Sequence, residues 1–168
     1  MMQHTPTARP HDRGDVYAAW GLPENADPRF HQFVDYWKSK CGPDEEPPLF
    51  QDIDPLEISA LMPGIVIIDQ IRDAEGHGRY FYRYVGTSHY EANQIELTGR
   101  FVDEIYSQDV IGPVFEVLNK ILEDRLLHYW RRLNPIPQRE FTYYERVMLP
   151  LRNNKGEVTM LIGYWIWY

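Results

Sequence analysis

One cysteine, Cys41, in 168 residues rules out an internal disulfide and any zinc or iron–sulfur site built on several thiolates. Cations are the scarcer charge. Lys and Arg number 17 against 25 Asp and Glu, a formal charge of -8, and no Lys/Arg cluster reverses that sign locally. Such a field repels phosphate backbones and anionic lipid, so neither nucleic acid nor a membrane surface is an expected partner. No apolar run approaches bilayer length, and Met1 to Asp15 is polar with no apolar signal core; the cytoplasm is the expected compartment. The chain also lacks a phosphate-cradling glycine loop, an H-E-x-x-H pair and a G-x-S-x-G turn around any of Ser39, Ser59, Ser88 or Ser107. The six histidines (His4, His11, His31, His77, His89 and His128) show no metal-ligand spacing and read as surface or structural residues.

What is abundant is aromatic surface: 12 Tyr and 5 Trp bring aromatics to 14% of the chain, beside 43% hydrophobic and 25% charged residues. These are values for one globular domain with large rigid side chains in a core, pocket or interface. A chain of this size buries roughly 70% of its unfolded surface and needs no covalent staple.

Residues 1–26 show no periodicity and read as a flexible leader. Phe30, Phe33, Val34, Trp37 and Cys41 then fall on one helical stripe, with Asp27 as cap, Pro28 in first position and Gly42-Pro43 as the stop. Residues 27–63 are expected to form this helical extension, an acidic linker (Pro43 to Pro48), and a second short helix begun by Asp54-Pro55 and stopped by Pro63-Gly64. From residue 64 to 168 the period becomes two. Strands are expected at Ile65–Arg72, Arg79–Gly86, Leu126–Leu133, Glu140–Leu151 and Val158–Trp167. Helical signals lie between the second and third. The stripe Val110, Ile111, Val114, Phe115, Leu118, Ile121, Leu122 is a long helix, with Pro113 delaying its regular start to about Gly112. The result is an α+β domain, a five-stranded antiparallel sheet with helices on one face. Ile65–Ile68 and Met160–Tyr168 are apolar on both faces, so the first and last strands belong in the middle and the other three toward the edges.

That topology is shared by PAS domains. The stretches Phe33–Trp37 (FVDYW), Ile53–Pro63 (IDPLEISALMP), Tyr82–Thr87 (YRYVGT), Leu97–Arg100 (LTGR) and Tyr144–Leu151 (YERVMLPL) resemble, in order, the stand-alone PAS proteins abundant in alphaproteobacteria. The resemblance covers about residues 28–168; only Arg125–Gln138 is longer and more Pro-broken than that subfamily suggests. It implies a small sensory or protein-interaction module, usually without a known ligand and often without a fused output domain. With the chain ending in its last strand, output is expected through a partner protein.

No cofactor is expected. Flavin-binding PAS domains place a reactive Cys beside an Asn and an Arg in the helical middle, and Ser88–Asp124 has nothing of that kind. Cys41 sits in the first helix's apolar stripe, where it acts as a small hydrophobe. Haem-binding PAS domains use a His on the long helix, and Ser107–Arg125 contains none, leaving only His89 or His128 as substitutes.

One constellation suggests a polar site. Alternation puts Glu145 on the apolar face of Phe141, Tyr143, Val147, Leu149 and Leu151, and Arg83 on that of Phe81 and Val85. A lone charge on such a face needs a partner. It is met by an internal ion pair, by snorkelling at the sheet edge, or by a small ligand in the cavity held by Arg83, Glu145, Tyr143 and His128. The competing function is a small α+β cup enzyme of the cyclase or isomerase kind, with Glu145 or His128 as base. Finally, Trp165 and Trp167 in a central strand need a cover over the outer sheet face. The stripe Phe30, Phe33, Trp37 supplies it, from the same chain or from a second subunit; a homodimer through these residues is the expected assembly.

Overall fold

The computed structural model describes residues 17–168; the earlier part of the expected leader, with His4 and His11, lies outside them. The elements are β1 (Tyr17–Ala19), α1 (Pro28–Lys40), β2 (Ile65–Arg72), β3 (Gly78–Val85), α2 (Thr87–Asn93), α3 (Gln108–Asp124), β4 (His128–Leu133), β5 (Tyr143–Arg152) and β6 (Val158–Trp167). All strand pairs are antiparallel, in the order β1-β4-β5-β6-β2-β3.

The sheet therefore has six strands, not five. The extra one is β1, taken from residues read as leader: Tyr17 to Ala19 pair with Arg131 to Tyr129 at the edge of β4. Three residues are too few to show a period, and only the exposed edge of β4 makes them a strand. β2 and β6 are neighbours in the middle, as their two apolar faces require. β5 is central as well, buried along almost its whole length between β4 and β6, although its charges suggested the periphery. Those charges, Glu145 and Arg146, are buried with it.

Helices cover both faces. On the outer face, Phe30, Phe33 and Val34 of α1 pack on Ile65, Ile67, Val147, Leu149, Ile162 and Tyr164. Asp27 caps α1 by accepting from the Arg29 amide, and Pro28 occupies its first turn. Trp37 closes the contact, its indole donating to the Pro150 carbonyl at 2.8 Å. On the inner face, Leu118, Ile121 and Leu122 of α3, with Leu97 and Val102, pack on Val66, Ile68, Tyr80, Tyr82, Met148 and Leu161. The cover for the outer face thus comes from the same chain, and Phe30 and Phe33 are 0% exposed within it.

Three local expectations are corrected. α3 starts at Gln108 with Pro113 inside it, because the Ser107 carbonyl already accepts from Val110 and Ile111. One lost hydrogen bond in the second turn does not break a helix held by its apolar stripe. The second short helix does not form. Asp54 does accept from the Leu56 amide at 2.9 Å, but residues 55–61 stay in turns that bury Ile58 and Leu61. The linker is also no free tether: Pro47 and Pro48 are buried, and both of their carbonyls accept from Arg152.

Candidate functional site

The four residues expected to share a ligand do not converge. Register between β2 and β3 slips between Ile67 and Ile68, which pair with Tyr84 and Tyr82. Arg83 is left over as a bulge. It lies exposed, 2.9 Å from Asp69 and 5.1 Å from the Phe50 ring centre, with two strands between it and β5. Glu145 is buried on the outer face, as alternation requires, and is satisfied there: the hydroxyls of Tyr129 and Tyr168 both donate to it. Tyr143 shares that face and lies 5.9 Å from the Tyr168 ring. His128 is on the other side of the sheet, opposite Met148. Glu145 and His128 are therefore separated by the sheet itself and form no acid–base pair. Trp165 and Trp167 also point to the inner face, where His89 lies 5.3 and 5.7 Å from their rings; Tyr164 and Ile166 are the residues that meet α1.

The inner face carries the residue that the alternation argument passed over. β5 also exposes Tyr144, Arg146 and Met148 to α3, and Arg146 is as much a lone charge there as Glu145 is opposite. Register places Trp130 of β4 and Trp165 of β6 on either side of it. The Arg146 guanidinium carbon stands 4.9 Å from the Trp130 ring centre and 5.8 Å from that of Trp165. One guanidinium nitrogen, Nη1, donates to His128 Nδ1 at 3.0 Å and reaches the His128 carbonyl at 3.5 Å. Since guanidinium has no acceptor, His128 must be neutral with its proton on Nε2.

Arg146 is 4% exposed, yet no carboxylate lies within ion-pair distance of it among the described residues. Its Nε and Nη2 donate to no group among those residues. Arg132, whose guanidinium carbon stands 4.5 Å from the Trp130 ring centre, adds a second cation nearby with no carboxylate partner among the described residues. Burial pulls Arg146 down to about 10, still cationic at neutral pH. Burial, and then the Arg146 charge, hold His128 down at about 3. Burial likewise raises the hydroxyls of Tyr82, Tyr106 and Tyr144, the last to about 12. At neutral pH the site is a cation walled by neutral rings.

These groups line a cavity of about 30 Å³ between β5 and α3, closed by Val114, Leu118, Tyr106 and Pro135. A second orphan lies in the same wall: the buried Trp130 indole N–H has no acceptor among the described residues. A larger groove of about 500 Å³ runs past Arg29, Gly64, Ser88 and Tyr168, but it opens to solvent and its cation is held by Asp27 at 3.0 Å. The small cavity has the unmet chemistry. Among the described residues no group of three or more His, Cys, Asp and Glu is placed to hold a metal ion, and no helix is long and apolar enough to cross a membrane.

The central pairing of β2 with β6 is the arrangement that the sequence resemblance implied. The family model described as "PAS domain" matches residues 26–166, and the chain belongs to the PAS domain family. The matched span takes in α1, which the sequence reading set apart as an extension. No curated protein matches the chain. Among solved structures the chain is similar to one described as "Structure of an RNA-binding Light-Oxygen-Voltage Receptor", with 13% identity and a TM-score of 0.48, over 90% of this chain and 38% of that one. This chain thus spans well under half the length of that receptor chain.

Proposed function

We propose that this PAS domain is a sensory module whose input is a small ligand taken into the inner-face cavity and whose output is altered contact with another protein. The observation that carries the reading is Arg146: a guanidinium 4% exposed, with two of its three nitrogens undirected and no counter-charge among the described residues. A buried cation without a partner is costly to the folded chain, and such groups cluster where a ligand supplies the missing interaction. The walls favour signal transmission. Val114 and Leu118 belong to α3 and Pro135 to the β4–β5 connection, so a ligand that spreads the cavity moves surface elements rather than the sheet. Self-association would have to use surfaces other than Phe30 and Phe33, which α1 spends on its own sheet.

The test is a thermal-shift screen of a mixed library of small neutral, cationic and anionic compounds on the wild type and on Val114→Phe, which fills the cavity from its half-buried wall. Compounds bound there raise Tm by mass action in the wild type and lose that effect in the variant. A screen without hits, or with hits that ignore Val114→Phe, overturns the cavity as input site.

A further inference from the structure

We infer that the ligand of this cavity is a compact carboxylate, of formate or acetate size, held by the Arg146 fork between the Trp130 and Trp165 rings with the Trp130 indole N–H as a further donor. The inference rests on the cavity being the input site and adds the ligand's chemistry. Three observations select it. The first is charge. Arg146 brings a cation to the cavity wall, Arg132 stands over the Trp130 ring behind it, and no Asp or Glu pairs with either among the described residues, so a cationic ligand is repelled and a neutral one leaves the charge unmet.

The second is donor geometry. Nη1 of Arg146 is spent on His128, leaving Nε and Nη2, adjacent donors on one edge of the planar fork. That edge matches two oxygens on one carbon, the bidentate arrangement in which guanidinium binds carboxylate. The Trp130 N–H is a separate donor on the neighbouring strand, buried and without an acceptor among the described residues; an acceptor-only ligand satisfies both orphans at once. The hydroxyls of Tyr82 and Tyr106 share a long hydrogen bond of 3.4 Å, weak enough for an incoming oxygen to compete with it.

The third is size and shape. About 30 Å³ is room for roughly two or three waters, which a molecule of three or four heavy atoms replaces while pressing on the α3 wall. The small volume excludes dicarboxylates and aromatic acids.

The experiment titrates sodium acetate and sodium formate into the full chain at constant ionic strength, balanced with sodium chloride. It follows Trp fluorescence and the indole N–H resonance of Trp130 by NMR. A saturable response is expected, with the Trp130 N–H resonance moving to the position of a stronger hydrogen bond. Acetamide, the neutral isostere, gives no saturable response. Arg146→Met weakens acetate binding at least tenfold, and Trp130→Phe weakens it several-fold. Arg146→Lys, which keeps the charge and loses the fork, falls between wild type and Arg146→Met. Thermal melts of each variant show that it is folded before it is titrated; if Arg146→Met does not fold, Trp130→Phe and the NMR shift decide. A response equal for acetate and acetamide, or unchanged in Trp130→Phe and Arg146→Lys, overturns the inference, as does the absence of any saturable response. Hits in the mixed library that are neutral or cationic, with no carboxylate response, overturn it while the cavity stands as input site. A library without hits removes both.

Discussion

Two buried histidines make the fold acid-sensitive between pH 7 and pH 5. His89 bridges α2 to the sheet: its Nε2 lies 3.0 Å from the Gly64 carbonyl and its Nδ1 accepts from the Trp167 indole at 3.3 Å. Burial pulls it from 6.5 to about 4. His128, beneath Trp20 at 4.7 Å and bonded to Arg146, is pulled to about 3 by burial and then by that cation. The sign follows directly. Both are neutral in the folded state, so their stabilisation is complete above the unfolded value of 6.5 and is lost as pH falls toward the folded values. From pH 7 to pH 5 the unfolded chain gains most of a proton at each site and the folded chain gains almost none. Linkage makes this loss about 2 kcal/mol for His89. His128, as little exposed as His89, contributes about 1–2 kcal/mol by the same linkage. A total of about 3–4 kcal/mol is a large part of a domain's typical stability of about 5–15 kcal/mol. Urea denaturation followed by Trp fluorescence at the two pH values measures it. His89→Gln and His128→Gln should each be less stable at pH 7, yet each should lose less between pH 7 and pH 5, by its own share. A wild type that loses under about 1 kcal/mol, or two variants that keep the full pH dependence, would refute the reasoning.

Four further outcomes follow from the packing. A Cβ on Gly86 would stand 2.2 Å from the Pro63 carbonyl oxygen and 2.4 Å from that of Met62. Both are main chain, so Gly86→Ala should cost more than about 3 kcal/mol or prevent folding. Gly112→Ala, inside α3 with nothing within 4 Å, should instead gain about 0.5–1 kcal/mol in thermal melts. In double-mutant cycles Glu145→Gln should couple to Tyr129→Phe by about 1 kcal/mol or more. It should be additive with Arg83→Met, whose exposed pair with Asp69 is worth under about 1 kcal/mol. Coupling between Arg83 and Glu145 would contradict the strand order.

Where the reading of the sequence went astray, the cause is traceable in each case. Strict alternation made Arg83 a charge on an apolar face; a one-residue bulge, invisible to a period of two, turned it outward. Glu145 was rightly placed among apolar neighbours, but its partners, Tyr129 and Tyr168, are 16 and 23 residues away along the chain. Arg146 was legible by the same test as Glu145, one position along the same strand. It went unnoticed because β5 was read as half-exposed, and on a half-exposed strand an arginine is unremarkable. The signal that would have found it is the apolar pair Tyr144 and Met148 on either side. Trp165 and Trp167 were assigned to the face that Tyr164 and Ile166 occupy, an error of one residue that exchanges the two sides of a sheet.

The sequence alone determined the elements whose causes are local: α1 from its cap, its proline and its stripe, and β2 and β6 from their doubly apolar runs. It also carried the family, because ordered stretches of wording survive without knowledge of contacts. Tertiary structure alone decided the rest. β1 exists because β4 has a free edge to pair with, α3 runs through Pro113 because its stripe is buried, and α1 covers its own sheet rather than a neighbour's. The site is of this second kind. Trp130, Arg146 and Trp165 become a row only when β4, β5 and β6 are laid side by side. An arginine's lack of a counter-charge is likewise a property of everything around it, which no stretch of sequence contains.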